Sequence, residues 1–510
     1  MPRIKLYLED GREKCLYAPA GVRLLEVVDG HTAGLETVCG GAGRCGKCRV
    51  MANGELSAPD AEERTALGAA LQQGVRLACR TFLMGDVEVR LCSGAELECI
   101  RTEGAMPDFA WDPLFKRYGV AVDIGTTTLA AQLYSREGLL SQASARNPQH
   151  IFGADVISRI EKALAGAGGE LTRCARGGVA QLLQALARKG GISTEEIDAV
   201  VLTGNTAMLY LLTGQTMEGL SRAPFQAEEL FGAWLPCESL KLPCAKGAPA
   251  YLPRCISAFL GADIVTALLA SGICGRRETA LLADIGTNGE IALWHDGGLL
   301  CCSTAAGPVF EGAGLSCGMQ GAPGAIDHVK WTDGALTIHT VGERPAQGIC
   351  GSGIIDIVAA LLRAGLLDET GRFRNDRKAF SLTPGIEVTQ KDIRMVQLAK
   401  GAVCAGIRSL LEVAGVPGKR SPLAVAGGFG SYLDLHSAAV VGLYPAELEG
   451  GAGILGTAAL TGAAMLLLQR RYLEEAAVLA QRAKTIELSS NPVFMEHYID
   501  AMGFDLETSG

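Results

Sequence analysis

Basic residues are in deficit: 46 Lys and Arg stand against 55 Asp and Glu, a formal net charge of −9. A nucleic-acid binder ordinarily carries a basic surplus, so no nucleic-acid partner is expected. No apolar leader segment opens the chain, because Met1–Asp10 alternates apolar and charged residues. Long hydrophobic runs are missing too. The longest, Gly453–Leu468, is short for a membrane span and is interrupted by glycine and threonine. It reads as a buried helix, which leaves no membrane partner and a cytoplasmic protein. Histidine is scarce, with seven residues and no HxxxH or HxH spacing, so a histidine metal site is not expected. Glycine shows no G-X-Y period, which excludes collagen.

What is abundant points elsewhere. The 510 residues set a prior of about three domains. A hydrophobic share of 48% is ample for large cores. Gly makes up 66 residues, about 13% against a typical ~7%, as in chains whose backbone turns tightly around ligands. Seventeen cysteines would suit a disulfide scaffold only in a small secreted chain. Most, such as Cys174, Cys255 and Cys404, lie singly in apolar runs and read as small hydrophobes. Cys301, Cys302, Cys317 and Cys350 are read the same way.

One cluster differs. Residues 39–48 read Cys-Gly-Gly-Ala-Gly-Arg-Cys-Gly-Lys-Cys, and Cys79 follows. The spacing C-x5-C-x2-C…C is one residue longer than the plant-type pattern for a 2Fe–2S cluster. Structural zinc usually arrives on two CxxC-type pairs, and Cys79 has no such partner. Cys39, Cys45, Cys48 and Cys79 are therefore the candidate cluster ligands. The intervening glycines let backbone N–H groups turn toward the cluster sulfurs. Strand-like alternation at Ile4–Leu8 and Asp86–Leu91, with a short helix at Leu24–Val28, predicts a β-grasp domain over residues 1–92. Arg44, Lys47, Arg49 and Arg80 flank the cluster, either as a docking patch or as ordinary solvated charge. Residues 93–117 read as a mobile linker.

The remainder contains an internal repeat. Gly119-Val-Ala-Val-Asp123-Ile-Gly125-Thr126-Thr127-Thr128 recurs as Leu281-Leu-Ala-Asp284-Ile-Gly286-Thr287-Asn288-Gly289-Glu290. Each copy is followed by a strand ending in glycine: Val200…Gly204-Asn205 and Leu423…Gly427-Gly428-Phe429-Gly430. Two copies in this order predict duplicated α/β halves, about 118–280 and 281–480. The second half is longer, which places an insertion at about 329–391, and residues 481–510 form a tail packed on this domain. Chemically, glycine admits backbone amides close to a phosphate and threonine hydroxyls add donors. Asp123 and Asp284, each at a strand end, can hold Mg²⁺ or order the attacking water and are the candidate catalytic residues. Gly125, Thr126, Thr127, Thr128, Gly204, Asn205, Gly286, Thr287 and Asn288 then surround the phosphates of ATP. Gly427-Gly428, read as opening a helix, contacts the α-phosphate and adenosine. The turn Ser303–Gly307 is read as ordinary capping.

This arrangement resembles the actin, sugar-kinase and heat-shock-chaperone ATPase superfamily. The resemblance implies an α/β protein with a small α+β domain: an N-terminal β-grasp 2Fe–2S ferredoxin domain, a linker, and a duplicated RNase-H-like ATPase domain. Joined to the 2Fe–2S domain, and with Asn147-Pro148-Gln149…Gly153-Ala154-Asp155-Val156, Ala306–Gly312 and Gly348–Gly353, nearly the whole chain resembles the ATP-dependent reductive activators of corrinoid proteins. What the resemblance implies is transfer of one electron from the cluster to return inactive cobalt(II) to cobalt(I) in methyl-transfer metabolism. The implied cofactors are a 2Fe–2S cluster, ATP and Mg. The implied partners are a corrinoid protein, an external low-potential electron donor and, through the linker, a second copy. Some family members carry an extra middle domain, which the short segment before residue 118 leaves no room for. Others carry C-terminal 4Fe–4S motifs, but no cysteine follows Cys404. The alternatives are an activator of 2-hydroxyacyl-CoA dehydratase type, a small-molecule kinase with a fused ferredoxin domain, or an ATP-sensing electron carrier or scaffold.

Overall fold

A computed structural model describes residues 1–7, 13–28, 48–67, 70–71, 74–91, 106–332, 335–375, 377–416, 421–429, 432–489 and 491–505. The chain divides into two compact units, Met1–Leu97 and Glu98–Gly510.

In the first unit, strands β1 (Arg3–Tyr7), β2 (Glu13–Tyr17), β3 (Arg49–Leu56), β4 (Val75–Leu77) and β5 (Leu83–Leu91) form one sheet, ordered β2-β1-β5-β3-β4. Among the described strand pairs of this sheet, only β1 and β5 run parallel. Helices α1 (Leu24–Val28) and α2 (Ala61–Leu67) accompany the sheet. The alternation read in the sequence is the alternation of burial. Ile4, Leu6, Val87 and Val89 point into a core with Leu24, Val28, Val50, Leu77 and Leu83. Glu63 on α2 is fully buried and holds β4 in place. It accepts from Arg76 Nε at 2.9 Å and from the Leu77 N–H at 2.7 Å, just before the Cys79 turn.

The second unit contains two six-stranded sheets that share a five-strand arrangement and differ in the sixth strand, which sits on opposite edges. The first uses β6 (Tyr118–Ile124), β7 (Thr128–Tyr134), β8 (Leu139–Arg146), β9 (Ile197–Gly204), β10 (Ala233–Pro236) and β11 (Pro249–Leu252), ordered β10-β11-β9-β6-β7-β8. Its helices are α3 (Val156–Lys162), α4 (Gly168–Gly190), α5 (Thr206–Thr213), the short α6 (Glu218–Ser221) and α7 (Ala262–Ser271). In the second half come β12 (Ala280–Ile285), β13 (Gly289–His295), β14 (Gly298–Thr304), β15 (Ala325–Thr332), β16 (Ala335–Thr340), β17 (Gly348–Ile349), β18 (Ala379–Thr383), β19 (Ile386–Thr389), β20 (Leu423–Ala426), β21 (Ala452–Gly456) and β22 (Ala483–Thr485). Helices α8 (Gly351–Arg363), α9 (Gln390–Ala414), α10 (Leu435–Val441), α11 (Ala458–Leu468), α12 (Arg471–Arg482) and α13 (Pro492–Ala501) complete it. The main sheet is ordered β21-β20-β12-β13-β14-β22. In each half the Asp-bearing strand pairs antiparallel with the next strand and parallel with the glycine-ending strand. This is the duplication expected from the repeat.

Three details differ from the sequence reading. The extra elements of the second half lie between β14 and α9, beginning before residue 329. They are the small sheet β16-β15-β17, α8 and the hairpin β18-β19. The long apolar run divides into β21 and α11, because Gly456 takes a positive φ of 67° and ends the strand; every residue of α11 is buried. Of the expected mobile linker, residues 106–117 are fastened to the second unit. Phe115 is buried, the Asp112 and Leu114 N–H groups donate to Leu468 and Leu467 carbonyls at 2.9 and 2.8 Å, and Phe109 packs edge-on against Tyr472. Residues 93–105 lie outside the described residues. Among the described residues no helix is long and apolar enough to cross a membrane.

Candidate functional site

The two repeat motifs form matching hairpin turns. Asp123 is the next-to-last residue of β6 and Asp284 the next-to-last of β12. In the first turn the Gly125 N–H donates to the Thr128 carbonyl at 3.0 Å; in the second the Gly286 N–H donates to the Asn288 carbonyl at 2.8 Å. The first turn is thus longer by one residue. Each is tied to a following proline turn in the same way. The Asn147 N–H donates to the Thr127 carbonyl, and the Gly307 N–H to the Thr287 carbonyl. The two turns meet, with Thr127 Oγ1 and Thr287 Oγ1 3.2 Å apart.

Glycine is required beside each aspartate. Gly204 (φ +156°) and Gly427 (φ +103°) end the strands next to β6 and β12. A Cβ at Gly204 would stand 2.7 Å from the Ile124 carbonyl oxygen, and one at Gly427 would stand 3.1 Å from Asp284 Oδ1. Gly427–Phe429 form a turn, and the next α-helix among the described residues, α10, starts at Leu435, capped by Asp434. The expected α-helix start at Gly427-Gly428 is not seen: these residues are in a bend and turn, with Gly427 at a positive φ of 103°. Gly430 lies outside the described residues. Asn205 caps α5 through the Met208 N–H at 2.9 Å and donates to Thr126 Oγ1 at 3.0 Å.

Several carboxyls here lie close together with their ionisation suppressed. Burial lifts the carboxyl of Asp284 to about 7 and that of Asp263 to about 6. Asp123 and Glu290 are raised well above the carboxylate range by burial and by their acidic neighbours Asp263 and Asp284. Among the described residues no group of three or more His, Cys, Asp or Glu side chains is arranged to hold an ion by itself. A divalent cation here would share its coordination with phosphate oxygens and water, as Mg²⁺ ordinarily does.

Sequence reasoning missed four residues of this cleft. Asp263 stands in the first turn of α7. Glu290 and Glu311 were in view inside quoted motifs but had no role. Arg159 on α3 is 1% exposed and reaches behind the first turn, where Nη2 donates to the Thr126 carbonyl at 2.6 Å and Nε to the Gly153 carbonyl at 3.0 Å. Burial lowers its pKa to about 10. Ser303 and Thr304 belong to β14, paired with Glu290 and Gly289, rather than to a turn. Cys301 and Cys302 are fully buried, and burial pushes their thiols up, as packing residues require.

In the first unit, Cys48 and Cys79 are buried side by side, and the Cys79 N–H donates to Cys48 Sγ at 3.5 Å. Paired buried thiols with an N–H aimed at sulfur fit an iron–sulfur donor set. Cys39, Cys45, Arg44 and Lys47 lie outside the described residues. Arg80 is engaged by Asp60 and Glu62 at 2.7 and 2.9 Å.

Fold and site together define a phosphate-clamping ATPase unit joined to an iron–sulfur domain. Comparison with known proteins agrees. Residues 8–84 match the 2Fe-2S iron-sulfur cluster binding domain, residues 118–276 the RACo middle region, and residues 278–509 the C-terminal domain of RACo, the ASKHA domain. The chain is 35% identical over 417 residues to the corrinoid activation enzyme RamQ of Eubacterium limosum, covering 75% of this chain and 69% of that protein. It is 25% identical over 424 residues to the [Co(II) methylated amine-specific corrinoid protein] reductase of Methanosarcina barkeri, covering 76% and 77%. The solved structure of a reductive activator for corrinoid, iron-sulfur protein superposes with a TM-score of 0.74 at 26% identity over 99% of both chains. The chain belongs to the family of ATP-dependent reductive activators of corrinoid proteins. The middle region, expected to be missing, is present: it is the first half of the duplicated unit.

Proposed function

We propose that this chain activates a corrinoid protein by ATP-dependent reduction, returning cobalt(II) to cobalt(I). The observation that carries the reading is the meeting of two matching phosphate turns at Thr127 and Thr287, in a chain that also bears a 2Fe–2S domain. A 2Fe–2S cluster, held by Cys39, Cys45, Cys48 and Cys79, supplies one low-potential electron when bound. Thr126, Thr127, Thr128, Thr287 and Asn288, with the Gly125 and Gly286 amides, grip the ATP phosphates. Gly204 and Gly427-Gly428 leave room for the nucleotide backbone and adenosine, and Asn205 orients Thr126. Asp123 and Asp284, assisted by Asp263, balance Mg²⁺ and order the attacking water. Nucleotide drives the step only through unequal affinity for two states of the chain and its partner. An external low-potential donor refills the chain, which acts in the cytoplasm and pairs as a homodimer. The test mixes protein, reductant, ATP and oxidised corrinoid protein and follows the cobalt(I) absorbance band. An ATP-dependent rise is expected; the reading fails if the band forms equally without ATP.

A further inference from the structure

Glu290 and Glu311 have no part in that scheme, and Glu311 is the one bonded to Thr287. Glu311 closes the single turn Pro308–Glu311 and reaches back into the second phosphate turn. Its Oε1 accepts from both the backbone N–H and the hydroxyl of Thr287, each at 2.9 Å. A Cβ on Gly286 would stand 3.4 Å from the same oxygen, so the carboxylate lies against the glycine of the turn. Oε2 is buried without a hydrogen-bond partner among the described residues. A backbone N–H beside a glycine, with the hydroxyl of the same threonine, is the kind of donor pair that holds an oxyanion.

We propose that Glu311 is an internal competitor for the nucleotide phosphate at the second turn. Resting on the reading of the cleft as an ATP site, it adds a regulation of that site. Carboxylate and phosphate need the same Thr287 donors, so one is bound only where the other is not. The Thr127 and Thr287 hydroxyls, 3.2 Å apart, are in direct hydrogen-bond contact. A phosphoryl oxygen seated between them separates the turns at the same moment. Displacement of Glu311 also moves its neighbour Phe310, whose ring stacks on Phe429 at 5.0 Å beside the glycine pair and whose carbonyl abuts Gly351 at the start of α8. Phosphate arrival is thereby reported to the elements inserted between β14 and α9.

Two substitutions in the full chain test this. Glu311→Gln keeps size and an acceptor but removes the charge, and hydrogen bonds to charged groups are roughly twice as strong as neutral ones. Glu311→Asp keeps the charge but withdraws it by one methylene. Calorimetric titration with ADP and with a non-hydrolysable ATP analogue should show both variants binding about tenfold more tightly than the unaltered chain, from the weakened competing bonds. Thermal unfolding without nucleotide verifies the fold, and if one variant is unfolded the other decides. Unchanged or weaker affinity overturns the proposal. So does lost hydrolysis at unchanged affinity, which would make Glu311 a group acting on the attacking water. If the unaltered chain binds no nucleotide, the ATP reading itself falls; if it binds and the variants bind no more tightly, only the competitor falls.

Discussion

Asp123 and Asp284 occupy the place where a buried carboxylate is least comfortable alone. Each faces other acids, and burial lifts Asp284 to about 7. Such a site favours a cation that neutralises it. Replacing either by alanine should reduce ATP hydrolysis by at least about 100-fold, as loss of a general acid–base or metal-holding group does, while leaving the visible spectrum of the 2Fe–2S domain unchanged. Turnover assays and absorbance spectra of the same preparations check this. Arg159 works from behind. Its guanidinium fork spans the Thr126 and Gly153 carbonyls, and removing it leaves two buried acceptors unpaired. Arg159→Met should cost about 2 kcal/mol of stability and weaken nucleotide binding. Arg159→Lys should not restore either, because a single ammonium lacks the planar fork. Unfolding midpoints with and without nucleotide decide it. The aspartates were legible as a repeated strand-end motif. Arg159 was not, because only the packing of α3 brings it to a turn distant in sequence.

Among the elements, the C-terminal helix is held by a buried charge. Lys400 on α9 is 2% exposed, donates to the Gly503 carbonyl, and lies 4.7 Å from the Phe504 ring centroid. Gln397 on the same helix donates to the Met502 carbonyl at 2.7 Å, so the segment after α13 is closed onto α9. Burial lowers Lys400 from its ordinary 10.5 to about 8. The sign of the pH effect follows. Between about 8 and 10.5 the unfolded chain retains a proton that the folded chain has released, so stability rises with pH through that window. The unaltered chain should gain roughly 1–2 kcal/mol between pH 7.5 and 9.5 relative to Lys400→Met, from about one pH unit of differential protonation. Denaturant titrations of both chains at the two pH values measure it, and equal slopes would contradict it. The sequence indicated that the tail packs on this domain but not by which contact, since a lysine in a helix ordinarily reads as solvated.

At the scale of the whole molecule, two compact units divide the chemistry. The candidate cluster ligands belong to Met1–Leu97 and the candidate phosphate turns to Glu98–Gly510. The segment 98–510 alone should therefore still hydrolyse ATP and bind the corrinoid partner, yet fail to produce cobalt(I). Reduction as fast as the full chain with the same reductant would remove the 2Fe–2S domain from the electron path. Residues 106–117 carry little periodicity but are fastened to α11 by backbone bonds, to α12 by the Phe109–Tyr472 ring pair, and by buried Phe115.

Local chemistry determined much of this protein from sequence alone. A cysteine loop spaced for a cluster needs only its own glycines, and a strand–Asp–Gly–Thr turn carries its donors within a few residues. Duplication was legible because both turns and both glycine-ending strands repeat in order. Tertiary structure decided what depends on residues far apart in the chain. Asp263 joins Asp123 and Asp284 only when α7 docks its first turn at the cleft. Thr127 touches Thr287 only when the halves close. Glu311 takes the donors of the second turn only because its own proline turn folds back over Gly286. No periodicity or spacing encodes these meetings, since each is fixed by how buried faces pack and by which polar groups must then find partners.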